Sequence, residues 1–112
     1  MYQLKRPADD ANWTALDFPG ITIKLLHTDA ATGASTILTR LAPGATIPRH
    51  RHTNADETVY VIEGDFIEDA QSYGPGSFFA GSAGTDHGPH RSLGGCLVLT
   101  RFSAPLDFVL ST

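Results

Sequence analysis

Apolar positions along this chain fall in short alternating runs, not at helical spacing. A cluster of Gly, Pro, Asp or Asn interrupts them every eight to twelve residues. The pattern predicts strands over Ile21–Leu26, Ser35–Leu41, Thr46–Arg49, Glu57–Ile62, Phe66–Glu68, Ser77–Ala80, His87–Arg91, Cys96–Phe102 and Asp107–Leu110. Turns are expected at Asp29–Gly33, Pro43-Gly44, Thr53–Asp56, Gly64-Asp65, Gly74-Pro75-Gly76, Gly81–Gly84 and Gly94-Gly95. No segment reads as a helix. Short strands at this regular spacing imply an all-β sandwich or barrel. Met1–Ala15 is less patterned and is expected to be an N-terminal arm, with Trp13 packing over one end of the barrel or into a subunit contact.

The chain has 112 residues, which predicts one domain spanning residues 1–112 with enough length to bury a core without staples. A net charge of −4 argues against nucleic acid as the main partner, and the eight Lys and Arg are scattered. Arg49 and Arg51 lie close together beside the histidines at 50 and 52. Cys96 is the sole cysteine, so an internal disulfide is excluded. Its place at the head of the apolar run CLVLTRF reads as a small buried hydrophobe. The segment MYQLKRPADD lacks the apolar stretch of a signal peptide, and no run approaches membrane-spanning length. A cytoplasmic location is expected. Open strand edges in so small a fold favour a homodimer.

The densest chemistry lies between Gly44 and Gly64, in the order Gly44-x5-His50-x-His52-x4-Glu57-x6-Gly64. Residues i and i+2 of a strand share a face, so His50 and His52 can present two imidazoles to one point. Glu57, on a neighbouring segment, can add an oxygen. Two nitrogens and an oxygen on a rigid sheet suit a divalent transition metal. A second run follows as Gly76-x5-Ser82-x-Gly84-x2-His87. Asp56 is a rival carboxylate, but Glu57 has the better spacing to Gly64, so Asp56 is expected to be solvated. His27, at a strand end, reads as a surface residue.

These two runs resemble the paired motifs of the cupin superfamily. The first family motif, G-x5-H-x-H-x3/4-E-x6-G, is matched at every defined position. The second, G-x5-P-x-G-x2-H-x3-N, is matched at Gly76, Gly84 and His87, with Ser82 in place of proline and Arg91 in place of asparagine. The resemblance implies a small antiparallel jelly-roll barrel and carries the family's metal ligands over to His50, His52, Glu57 and His87. His90, at odd spacing from His87 on a strand, is expected to face away from the ligand side as an exposed or hydrogen-bonded residue. Over roughly residues 12–103, features such as Trp13, Pro19-Gly20, Tyr73-Gly74-Pro75-Gly76 and Gly95-Cys96 resemble one subgroup. It includes the cupin half of ChrR-type anti-sigma factors and the acetylacetone-cleaving dioxygenases. In the latter, three histidines hold iron without the glutamate. This chain retains Glu57.

The resemblance implies one divalent metal, iron or zinc first, with manganese, nickel or cobalt tolerated by the same donors. The expected activity is that of a metal-dependent oxygenase on a small chelating organic substrate, such as a diketone or phenolic ketone. Glu57 would double as a possible catalytic base. A non-catalytic ligand- or redox-sensing module is the alternative. A metal-dependent isomerase or lyase on a sugar-like substrate is a third, in which Arg40, Arg49, Arg51 or Arg101 would meet an anionic group.

Overall fold

The computed structural model describes residues 1–10 and 12–111; Ala11, in the N-terminal arm, and Thr112 lie outside the described residues. In chain order the strands are β1 (Trp13–Ala15), β2 (Ile21–Thr28), β3 (Ser35–Leu41), β4 (Thr46–Ile47), β5 (His50–Arg51) and β6 (Glu57–Gly64). There follow β7 (Phe66–Glu68), β8 (Gln71–Tyr73), β9 (Phe78–Gly81), β10 (His90–Arg91), β11 (Cys96–Phe102) and β12 (Val109–Leu110). They form three sheets, ordered β1-β2-β3-β11-β6-β9, β4-β10-β7-β8 and β12-β5. Every pairing is antiparallel. The fold is an all-β jelly roll whose sheets are separate and do not form one continuous barrel.

Alternation decides which side of each strand is dry. In β11, Cys96, Val98, Thr100 and Phe102 are buried, while Arg101 is exposed. In β6, Val59 and Val61 point inward, while Tyr60 and Ile62 face out. Ile21, Leu41, Val59, Val61, Phe66, Cys96 and Val98 form one buried cluster, so the larger sheet and β7 share a core. Ile37, Ala55 and Phe102 form a second, smaller cluster. Burial pushes the Cys96 thiol above its ordinary pKa, as befits an inert core residue.

The structure departs from the expected strands in places where local chemistry is weak or interrupted. The stretch from Thr46 splits at Pro48, which has no N–H to give a ladder. On its near side β4 pairs with β10, and on its far side β5 pairs with β12, so the chain changes sheets there. β8 is polar and carries no apolar alternation, and its hairpin turn at Asp69 and Ala70 reaches positive φ at both positions without a glycine. Trp13 stands on the edge strand β1 instead of capping an end, with the Arg40 guanidinium 5.5 Å from its ring centroid.

Asp65 fastens the turn before β11. Its carboxylate accepts hydrogen bonds from Ser92 Oγ, Leu93 N and Gly94 N at 2.8–2.9 Å. The neighbouring Gly64 has φ +85°, and a Cβ there would lie 2.0 Å from the Gly95 carbonyl oxygen. Backbone, not a flexible side chain, blocks that space. Gly64→Ala should therefore cost more than ~2 kcal/mol of folding stability. Urea unfolding checks this, and an unchanged midpoint would contradict it.

Candidate metal centre

Three segments converge at one end of the core. β5 and the residue after it bring His50 and His52, both buried. The first residue of β6 brings Glu57. His87 arrives on the loop before β10, which bridges to β5: His50 N donates to His87 O at 3.0 Å and His87 N to His50 O at 2.9 Å. Gly84 N donates to His52 O at 2.7 Å, so the loop holding Ser82 and Gly84 is tied to the same strand.

The structure brings together His50, His52, Glu57 and His87, with one donor atom from each within 4.8 Å of the others. His87 Nε2 is 2.8 Å from Glu57 Oε2 and 3.1 Å from His50 Nε2. His52 Nε2 is 3.3 Å from Glu57 Oε2, without hydrogen-bond geometry, and is buried with no other partner. Two backbone carbonyls set the tautomers. His50 Nδ1 donates to Pro48 O at 2.7 Å and His52 Nδ1 to Asp107 O at 2.6 Å. Each Nε2 is then a lone pair aimed into the cluster. Donors about 2.1 Å from a shared ion sit about 3 Å apart at right angles, and the three contacts at 2.8, 3.1 and 3.3 Å are close to that spacing. Facing lone pairs beside a carboxylate in a buried site call for a cation, and the donor set fits a divalent transition metal.

Charge is distributed unevenly among the four. Burial lowers the His50 pKa to about 4, and the surrounding imidazoles add to the effect. Burial also acts against a charged His52, but the adjacent Glu57 carboxylate and the Asp107 carbonyl outweigh it and raise His52 above its ordinary value. Burial would raise Glu57, yet the His52 and His87 imidazoles hold it down to about 2.

The cluster opens onto a cavity of about 420 Å³. Apolar side chains such as Phe18, Ile37, Phe66, Val98, Phe102 and Phe108 dominate its wall. Among the described residues no Lys or Arg lines it. Arg49 and Arg51 instead reach Asp86, each at 3.7 Å, Arg40 reaches Glu63 at 3.4 Å, and Arg101 is exposed on the outer face. Asp56 stays outside the donor cluster, its carboxylate accepting the Ala83 N–H at 2.9 Å. His27 and Arg91 are exposed.

His90 is the one histidine placed against expectation. It is buried on the cavity wall, with Nε2 2.6 Å from Glu68 Oε2 and its ring stacked on those of Phe66 and His87. Strand parity fails because Gly88, with φ +88°, breaks the extended chain between His87 and His90. The Gly-Pro pair at 88–89 was the signal that counting across it would mislead. Glu68, Asp107 and Phe108 also meet the cluster or its neighbours, and no spacing in the sequence marks them. Phe108 lies face to face on the His50 ring, centroids 4.1 Å apart.

Residues 4–105 match the family model described as the ChrR cupin-like domain. The chain belongs to that cupin family. Among solved structures it is similar to KdgF from a Halomonas species, at 25% identity over 87% of this chain and 91% of that one, with a TM-score of 0.74. The acetylacetone dioxygenase of Acinetobacter johnsonii superposes with a TM-score of 0.80 at 19% identity, over 96% of this chain and 78% of that one. The complex of SigE with the anti-sigma ChrR from Rhodobacter sphaeroides gives 0.70 at 24% identity, covering 86% of this cupin but only 51% of the matched chain. At this identity the last two likenesses establish the shared fold. No curated protein matches the sequence.

Metal binding requires neutral imidazoles, and Glu57 and the Asp107 carbonyl hold the His52 pKa above its ordinary value, whereas burial lowers that of His50 to about 4. Affinity for zinc or cobalt should fall as pH drops, by at least about tenfold between about pH 7.5 and about pH 5.5. Competition titration against a chelator measures it; a flat profile would contradict the arrangement.

Proposed function

We propose that this cupin is a metal-dependent oxygenase acting on a neutral, chelating organic molecule such as a diketone or phenolic ketone, with His50, His52, Glu57 and His87 as the metal ligands. The observation that carries the proposal is the apolar cavity opening directly onto the donor cluster, with no cationic side chain on its described wall. A bound divalent metal would supply Lewis acidity toward the chelating oxygens and, where it is iron, a redox path by which electrons of the substrate reach dioxygen.

The chain's own residues account for the rest. A divalent ion with the Glu57 carboxylate leaves one net positive charge, which a single enolate neutralises. A further phosphate or carboxylate would sit in the apolar cavity with no partner, at a large desolvation cost. That argues against an anionic sugar-like substrate. Glu57 Oε2 lies 2.8 Å from His87 Nε2 and 3.3 Å from His52 Nε2, so its role in this arrangement is that of anionic ligand; action as a base requires withdrawal from them. Phe18, Phe102 and Phe108 shed water from the reacting end and stack on a flat substrate.

Iron-loaded protein should consume dioxygen in the presence of at least one member of a panel of β-diketones, phenolic ketones and flavonols. Silence across the panel at full iron occupancy would sink the oxygenase. The match to the ChrR cupin-like domain favours a second role, a ligand- or redox-sensing module without turnover. That role would show as reversible ligand binding, no dioxygen uptake, and capture of a transcription partner.

The quaternary state proposed is a homodimer. Tyr60 and Phe78 are directly opposite on β6 and the edge strand β9, and both are exposed, with Ile62 beside them. Light scattering should give twice the 12.0 kDa chain mass; a monomer at all concentrations would rule the dimer out.

A further inference from the structure

The last strand of the chain does more than finish a sheet. Residues 106–111 lie beyond the stretch matched by the family model, yet they reach the metal centre at three points. The Asp107 carbonyl accepts from His52 Nδ1, Phe108 covers the His50 ring, and β12 pairs with β5, with Val109 opposite Arg51 and Leu110 opposite His50. Both flanks of Phe108 are fastened. Upstream, the Asp107 carboxylate accepts hydrogen bonds from Thr53 N and Thr53 Oγ. Downstream, Ser111 N donates to Arg49 O at 3.0 Å and Ser111 Oγ to Asp86 Oδ1 at 2.7 Å.

The same strap stands at the mouth of the cavity. Leu106 and Phe108 line the cavity and are also 47% and 40% exposed, which places them on its rim. Across from them the turn between β1 and β2 contributes Leu16 and Phe18. The two sides meet where the Phe18 and Phe108 rings approach to 5.4 Å between centroids.

We infer that residues 106–111 form a fixed outer wall of the metal cavity, and that Phe108, closed against Phe18, is the residue that sets the size of molecule reaching the metal. Because the strap is pinned on both sides, it selects by shape and does not yield as a loose loop would. The chemical class selected is a flat, neutral, mostly apolar molecule small enough to lie beneath the Phe18–Phe108 pair. This rests on the metal-site reading proposed above, and extends it to a specificity determinant outside the matched family domain.

The test uses the cobalt(II)-loaded 112-residue chain, with Phe108→Ala and Phe18→Ala as variants; Phe18 borders the same mouth through its contact with Phe108. Two quantities are read: binding of acetylacetone and of the bulkier dibenzoylmethane, from the change in the cobalt visible spectrum, and the rate at which excess chelator strips cobalt. Both variants should shift the preference toward dibenzoylmethane by at least about tenfold and speed cobalt removal, with equilibrium cobalt affinity retained. If neither diketone binds any form, yet both variants lose cobalt faster, the wall stands and the diketone reading fails. An unchanged size preference and an unchanged stripping rate in Phe18→Ala would overturn the inference. So would loss of cobalt affinity in Phe108→Ala with Phe18→Ala behaving as wild type, since Phe108 would then only support His50.

Discussion

Two backbone carbonyls orient the candidate metal centre. Pro48 O and Asp107 O each accept an Nδ1–H, and by doing so they turn the Nε2 lone pairs of His50 and His52 toward Glu57 and His87. Without those acceptors either ring could flip or change tautomer, and four donors at good distances would no longer be a cradle. The acceptors come from segments far apart in sequence. Pro48 sits at the break between β4 and β5, and Asp107 leads into β12, so the local kink and the final strand both serve the same pair of rings.

The sheets supply rigidity to that pair. β5 is only two residues long and would not hold a geometry by itself. It is clamped by β12 on one side and by the backbone bridge to His87, while Glu57 is anchored at the head of an eight-residue strand lying between two neighbours. The buried cluster around Val61 and Val98 lies further along the same strands. The donors therefore hang from a packed framework, and the cavity beside them is hollow because large rings line it without filling it.

Much of this was legible in the residues. Alternation located β2, β3, β6, β7, β9 and β11, and the glycine-framed histidine runs marked the four side chains that the fold brings together. What was hidden had physical reasons. β8 has no apolar face and turns on Asp-Ala where Asn-Gly would be diagnostic. Strand parity puts His90 on the far side from His87, and parity has no meaning across a left-handed glycine such as Gly88. Asp107 acts through its carbonyl, a group every residue possesses, so no side-chain pattern could announce it. Phe108 read as one more apolar strand position; its stacking on His50 depends on a pairing between β12 and β5 that spans more than fifty residues of sequence.

The position of β11 has a bearing on biosynthesis. It lies between β3 and β6 in the larger sheet, although it follows both in the chain. Until Cys96–Phe102 has left the ribosome, those two strands have an empty lane between them and their inner faces share no completed core. β12, with the carbonyl that orients His52, emerges later still. A nascent chain thus exposes His50, His52 and Glu57 well before it has the means to aim them. Any capture of a metal by these side chains with His52 in its oriented form therefore waits until residues 107–110 have emerged and paired with β5.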